Sequence, residues 1–180
     1  MLRLSRWLRS FQRHIRQDST SARPKHSRAE QRARHVPNLE SLEERTLLST
    51  LNIDAAGATT YSATATLAND LTISLLAGNY VFEEDSESIN VIGAGSGACT
   101  GSGTGIVTCP DSSISSISVD AGDMNDKVTI QSLDDPATVM GGTGDDTLDA
   151  GTAATAVTLN GDGDNDSMTG GGANDRMSGG

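Results

Sequence analysis

Three aspartates on one spacing are the residues best placed to do chemistry in this 180-residue chain. Sliding the sequence by 20 residues lays Gly122-Asp123-Met124-Asn125-Asp126-Lys127-Val128 over Gly142-Thr143-Gly144-Asp145-Asp146-Thr147-Leu148, and that over Asp162-Gly163-Asp164-Asn165-Asp166-Ser167-Met168. Asp126, Asp146 and Asp166 share one column, and Val128, Leu148 and Met168 share another. If each period is one turn of a stacked chain, successive carboxylates lie about one strand spacing apart, ~4.8 Å. Bare carboxylates at that distance repel, and no lysine ladder accompanies them. A divalent cation between turns resolves the conflict.

Positioning such a column requires short, regular elements. Ile117-Ser118-Val119, Ala137-Thr138-Val139 and Val157-Thr158-Leu159 hold the same 20-residue register. Each period therefore reads as two short strands with alternate side chains inward, joined by glycine-rich turns. One coil cannot bury its apolar face alone. Stacked coils build a thin core of Ile, Val, Leu and Met. Before the repeat, Tyr61 to Leu67, Leu71 to Leu76, Tyr80-Val81-Phe82 and Ile89-Asn90-Val91 read as strands. Gly78-Asn79 and the stretch from Gly93 to Gly105 supply turns. The fold expected is all-β: a β-rich cap over residues 51–111, antiparallel or irregular, then a right-handed parallel β-roll or β-solenoid of about three coils over residues 112–180.

Gly141-Gly142-Thr143-Gly144-Asp145-Asp146-Thr147-Leu148-Asp149 fits the nonapeptide GGxGxDxUx at every defined position. It resembles the hemolysin-type (repeats-in-toxin) calcium-binding repeat. Gly170 to Ser178 fits except for Ala173. Gly161 to Thr169 departs at Asp162 and Asp164, and Gly122 to Val128 is a looser copy. The resemblance implies that turn carbonyls and an aspartate bind Ca2+, which points to Asp126, Gly142, Gly144, Asp146, Gly163, Asp164, Asp166 and Asp175. Coils of that family take about 18 residues, whereas the first coils here take 20. On the second face, Leu133-Asp134-Asp135-Pro136 and Ala153-Ala154-Thr155 replace the glycine turn. That face is expected to carry no calcium site before Asn174-Asp175.

Other chemistries fit less well. Asp162-Gly163-Asp164-Asn165-Asp166 imitates an EF-hand loop but continues with Ser167 where glycine is required and lacks flanking helical patterns. Asp134 and Asp135 read as solvated turn residues, and Glu83, Glu84, Asp85 and Glu87 as a solvated acidic loop. Residues 46–180 contain no histidine, so no Ser-His or Cys-His pair is available, and no phosphate loop is present. The chain is expected to be non-catalytic and to bind no zinc.

Composition divides the chain in two. Residues 1–45 hold 11 of the 13 Lys and Arg against five acids, while residues 46–180 hold Lys127 and Arg176 against 19 acids. The anionic body would repel phosphate, so no nucleic-acid partner is expected. Only 3% of residues are aromatic and 35% apolar, which argues against a large conventional core. Leu2 to Arg16 reads as an amphipathic helix, with Leu4, Trp7, Leu8, Phe11 and Ile15 opposite five arginines. It fits either an anionic membrane surface or a plain basic tail. Gln17 to Pro37 is polar and reads as disordered.

Leu39-Glu40-Ser41-Leu42-Glu43-Glu44-Arg45-Thr46-Leu47-Leu48-Ser49 closes the expected leader (residues 1–50) and resembles the LExR-x-LLS element of large exported bacterial proteins. It implies an extracellular or cell-envelope location. With export implied, Cys99 and Cys109 are expected to pair in a disulfide. The functional expectation is calcium-dependent folding, adhesion or display toward a cell-surface or matrix partner. Two alternatives stand beside it. One is an adhesion scaffold with repeats too degenerate for metal. The other is the N-terminal part of a larger secreted enzyme, since Gly179-Gly180 opens another nonapeptide.

Overall fold

The computed structural model describes residues 48–180. The leader features expected before Leu48 lie outside the described residues. Leu48 and Ser49, the end of the expected leader element, already belong to the first strand, β1 (Leu48–Ile53). The described chain is all-β, with two mixed sheets and no α-helix among the described residues.

From residue 116 onward, successive strands alternate between the two sheets. The first sheet receives β7 (Ser116–Asp120), β9 (Ala137–Thr143), β11 (Val157–Gly163) and β13 (Arg176–Ser178). The second receives β8 (Lys127–Ile130), β10 (Thr147–Asp149) and β12 (Ser167–Thr169). Neighbours within each sheet are parallel. Val119 pairs with Val139 and Val139 with Leu159, while Val128 pairs with Leu148 and Leu148 with Met168. Each step is the 20-residue offset of the sequence. The last is shorter, because Leu159 pairs with Met177.

Residues 48–110 continue both sheets. β2 (Ala58–Ser62) pairs in parallel with β7, placing Tyr61 opposite Val119. β3 (Asp70–Leu76) pairs in parallel with β8, placing Leu71 opposite Val128. Antiparallel and edge strands then extend each sheet: β1 and β5 (Ser88–Ile92) beyond β2, and β4 (Asn79–Glu84) and β6 (Ile106–Pro110) beyond β3. The expected cap and the repeats thus share their sheets.

They also share one hydrophobic core. In most strands apolar residues alternate with polar ones, often Ser or Thr, so every second side chain turns inward. The inward columns run Tyr61, Val119, Val139, Leu159 in the first sheet and Leu71, Val128, Leu148 in the second, all buried. Burying each such Val or Leu contributes roughly 1.5–3 kcal/mol. The bulky groups Tyr61, Tyr80 and Phe82 fill the N-terminal end, and smaller Val, Leu and Ala fill the core further on.

Alternation also turns one acid of the Glu83-Glu84-Asp85-Glu87 run inward. In β4, Tyr80, Phe82 and Glu84 are the buried positions, so Glu84 is a core residue and not part of a solvated loop. Its carboxylate accepts the Tyr61 hydroxyl at 2.8 Å and the N–H groups of Asp70 and Ser86 at 3.1 and 2.9 Å. Glu87 accepts the Thr64 hydroxyl at 2.8 Å and the Ser49 hydroxyl. Burial, reinforced by the Glu84 charge, pushes the Tyr61 phenol pKa upward, keeping it protonated as the donor.

Cys99 and Cys109 form a disulfide. Cys109 is buried in β6, and Cys99 packs against the core from the glycine-rich segment that follows β5. The bridge closes a short loop at the N-terminal end of the core, which should limit the freedom of the unfolded chain by about 3 kcal/mol. Urea melts of oxidised and reduced protein should differ by about that amount. Equal midpoints would show that the loop is already ordered in the unfolded chain.

Candidate metal centre

The turns between the first-sheet and second-sheet strands carry the aspartates. Each repeats one backbone conformation. Gly122, Gly142 and Asp162 have positive φ (99°, 108° and 69°), and so do Met124, Gly144 and Asp164 (84°, 126° and 72°). Two left-handed residues separated by one extended residue bend the chain tightly over the turn before it. A Cβ at Gly142 would overlap the Gly122 carbonyl, and one at Gly144 the Met124 carbonyl. The intact nonapeptide therefore needs glycine where it has glycine. Asp162 and Asp164, the departures from the motif, keep the same conformation, which Asp tolerates better than most residues. Gly163 approaches the Gly142 carbonyl oxygen, to which an added Cβ would come within 3.3 Å.

The three aspartates form a ladder. Asp146 Oδ1 accepts the N–H of Asp126 at 2.8 Å, and Asp166 Oδ1 accepts the N–H of Asp146 at 3.1 Å. Asp126 Oδ1 accepts the N–H of Asn69 at 2.7 Å. Each carboxylate thus uses one oxygen to tie its turn to the previous one. The other oxygen, Oδ2, is buried without a hydrogen-bond partner in all three residues. Asp126 and Asp146 are 2% and 1% exposed. Gly141 and Gly161 make the room: a Cβ at either would collide with Oδ2 of Asp146 or Asp166.

Burial raises the pKa of Asp126 from 3.8 to about 6, with the Asp146 charge adding to it and the Asn69 N–H opposing it. Burial also raises that of Asp146, together with the charges of Asp166, Asp145 and Asp164. Among the described residues, the nearby cation Lys127 does not compensate them, since it bonds outward to Asp70 at 2.8 Å. The residues present suit a hard cation: unpaired carboxylate oxygens, in a turn whose backbone approaches the previous turn closely. No group of three or more acidic, His or Cys side chains able to hold a metal occurs among the described residues. Main-chain carbonyls would have to complete any coordination, and Gly142, Gly144, Gly163 and Asp164 are the turn residues that could offer them.

The other edge is built differently. In the first sheet, Ile117 pairs with Ala137 and Ala137 with Val157, so apolar residues fill the column. The next rung is Asp175, whose Oδ1 accepts the N–H of Val157 at 3.0 Å. Gly170 faces the Asp175 carboxylate, and Gly171 lies against the Ala150 and Ala153 carbonyls. Asp135, read as solvated, is half-buried and accepts the Tyr80 hydroxyl at 3.0 Å, while that hydroxyl accepts the N–H groups of Asp134 and Asp135. Asp135 anchors a core tyrosine.

The chain matches no protein-family model, no curated protein and no solved structure.

A proton linkage follows from the ladder. The folded pKa of Asp126 lies above its unfolded value, so the folded state holds more protons between pH 3.8 and about 6. Metal-free stability must then fall as pH rises through that window. In chelator, the urea-derived stability should be lower at about pH 7 than at about pH 4, by roughly 2 kcal/mol. Equal or greater stability at the higher pH would contradict the buried ladder. Gly142→Ala should lower stability by at least about 1 kcal/mol through the positive φ alone, with the overlap on Gly122 adding to it. Thermal melts would check this.

Proposed function

We propose that residues 112–180 are a right-handed parallel β-roll of the hemolysin-type (repeats-in-toxin) kind that binds calcium along one edge, in a non-catalytic exported protein. The observation that carries this reading is the row of buried, partnerless Oδ2 oxygens on Asp126, Asp146 and Asp166. Leaving one such acceptor unmatched costs about 1–3 kcal/mol, more when it is charged. A row of three calls for a compensating ion. The parallel 20-residue pairing in both sheets supports the roll. The Cys99–Cys109 bridge supports an oxidising compartment outside the cytosol.

Calcium, when bound, supplies the positive charge that the edge lacks. The chain's own residues do the rest. Asp126, Asp146 and Asp166 present Oδ2 while Oδ1 holds the turns at fixed spacing. Gly141 and Gly161 keep the carboxylates free of neighbouring side chains, and Gly142 and Gly144 let the backbone approach. Without calcium the ladder is self-repelling and the repeats are loosened, which suits passage through an export channel. Outside, calcium at millimolar levels fills sites of the roughly 10⁻⁴–10⁻³ M class and drives folding. The folded roll then presents its outer faces to a cell-surface or matrix partner.

The competing reading, a metal-free scaffold, draws on the same ladder, because a protonated Asp126 could hold its turn. With Asp126 titrating near about 6, that arrangement belongs to acidic conditions.

The test is the increment in stability between calcium and chelator at matched pH. One saturated site at about 100 times its Kd adds roughly 2.7 kcal/mol. Asp146→Ala should remove most of the increment, because Asp146 bonds to the Asp126 turn and is bonded by Asp166. Asp135→Ala should lower absolute stability by about 1–2 kcal/mol through the lost Tyr80 bond, and leave the increment intact. A wild-type chain whose melts coincide in calcium and chelator would sink the calcium reading.

A further inference from the structure

The aspartate ladder does not begin at Asp126. Asp70 pairs with Lys127 and Leu71 with Val128, so Asn69 occupies the rung before Asp126. Its backbone repeats the rung bonds in full. The N–H of Lys127 donates to the Asn69 carbonyl at 2.8 Å, as those of Thr147 and Ser167 do to the Asp126 and Asp146 carbonyls, both at 2.8 Å. The Asn69 N–H donates to Asp126 Oδ1 in turn. The column therefore reads Asn69, Asp126, Asp146, Asp166.

The Asn69 side chain is 3% exposed, and two carbonyls fix its orientation. Its Nδ2 donates to the Leu67 carbonyl at 3.0 Å and to the Ala121 carbonyl and Asp126 Oδ1, both at 3.4 Å. Turning the amide over would set an oxygen against those oxygens, so the assignment stands. Oδ1 is then a buried acceptor with no donor, as is Asp126 Oδ2 on the next rung. Negative charge gathers here as well. The buried Glu84 accepts the N–H of Asp70, the residue after Asn69, at 3.1 Å. Lys127, the adjacent cation, is spent on Asp70 outside.

We infer that Asn69 Oδ1 and Asp126 Oδ2 are ligands of a further calcium site, which joins the N-terminal strands to the first repeat turn. This rests on the calcium reading of the ladder. Amide oxygens are ordinary calcium ligands, and a neutral one suits this end of the column, where Asp126 and Glu84 already supply charge. The ion thereby links folding of the repeats to the pre-existing β2–β3 strands, seeding the stack from its N-terminal end.

The full chain, titrated with calcium alone by equilibrium dialysis and melted in calcium and in chelator, tests the site. Asn69→Ala should bind one ion fewer than wild type. Asn69→Asp should keep the wild-type stoichiometry and tighten one site by about tenfold, as ligand charge does in calcium sites. In chelator, Asn69→Asp should melt below wild type, because a further carboxylate then faces Asp126 unneutralised. A purely structural asparagine would not produce opposite shifts in the two conditions. If Asn69→Ala does not fold, Asn69→Asp decides alone.

Wild-type stoichiometry and affinity in Asn69→Ala, or unchanged affinities in Asn69→Asp, would overturn the site and leave Oδ1 to a buried water. Failure of the underlying reading looks different. In that case wild type itself takes up no calcium and Asp146→Ala changes nothing, whereas failure of this site alone leaves the Asp146→Ala effect in place.

Discussion

Like charge at strand spacing is the constraint on which the rest of this structure depends. Stacked turns 20 residues apart bring Asp126, Asp146 and Asp166 together along one edge, and parallel pairing on either side prevents them from separating. Half of the conflict is met inside the chain, because Oδ1 of each aspartate caps an N–H of the preceding turn. The other half is left open. Oδ2 is buried and unpartnered, and the one lysine among the described residues, Lys127, bonds to Asp70 instead. The glycines read as consequences of the same constraint. Gly141 and Gly161 clear space for the carboxylates, and Gly142 and Gly144 let each turn settle on the carbonyls below.

The apolar core explains how such an edge is tolerated at all. Tyr61, Tyr80 and Phe82 concentrate bulk at the N-terminal end, backed by the Cys99–Cys109 bridge and by the Glu84–Tyr61 bond. The strands that follow contribute little beyond a few Val, Leu and Ala each. Burial declines along the second-sheet column, from Leu71 and Leu148, both buried, to the half-buried Met168. On the proposed reading, calcium supplies to these strands and turns what their side chains do not, and the N-terminal strands provide the template on which they stack.

How much was legible in the sequence depended on period. The aspartate and apolar columns were readable because three copies share one offset and one alternation, and the strand pairing follows that offset residue by residue. Asn69 was hidden because 57 residues separate it from its partner Asp126, with the antiparallel strands β4 and β6 inserted between. Asn69-Asp70-Leu71-Thr72 does echo Asp126-Lys127-Val128-Thr129. Glu84 was misplaced for a different reason: a run of acids suggests solvent, whereas the alternation begun by Tyr80 and Phe82 carries Glu84 inward. Asp135 reads as solvated from sequence because its partner, Tyr80, lies far away in the chain and only the fold brings them together. Conversely, Asp162 and Asp164 break the motif by residue type yet keep its backbone.

The most direct measurement is anomalous X-ray diffraction from crystals of the protein grown with millimolar calcium. Calcium should appear as difference peaks between successive turns on the Asp126–Asp146–Asp166 edge, in contact with the Oδ2 oxygens. The facing positions beside Ile117, Ala137 and Val157 should be empty. Ordered water alone beside the three aspartates, at calcium concentrations well above about 10⁻³ M, would contradict a calcium-filled edge.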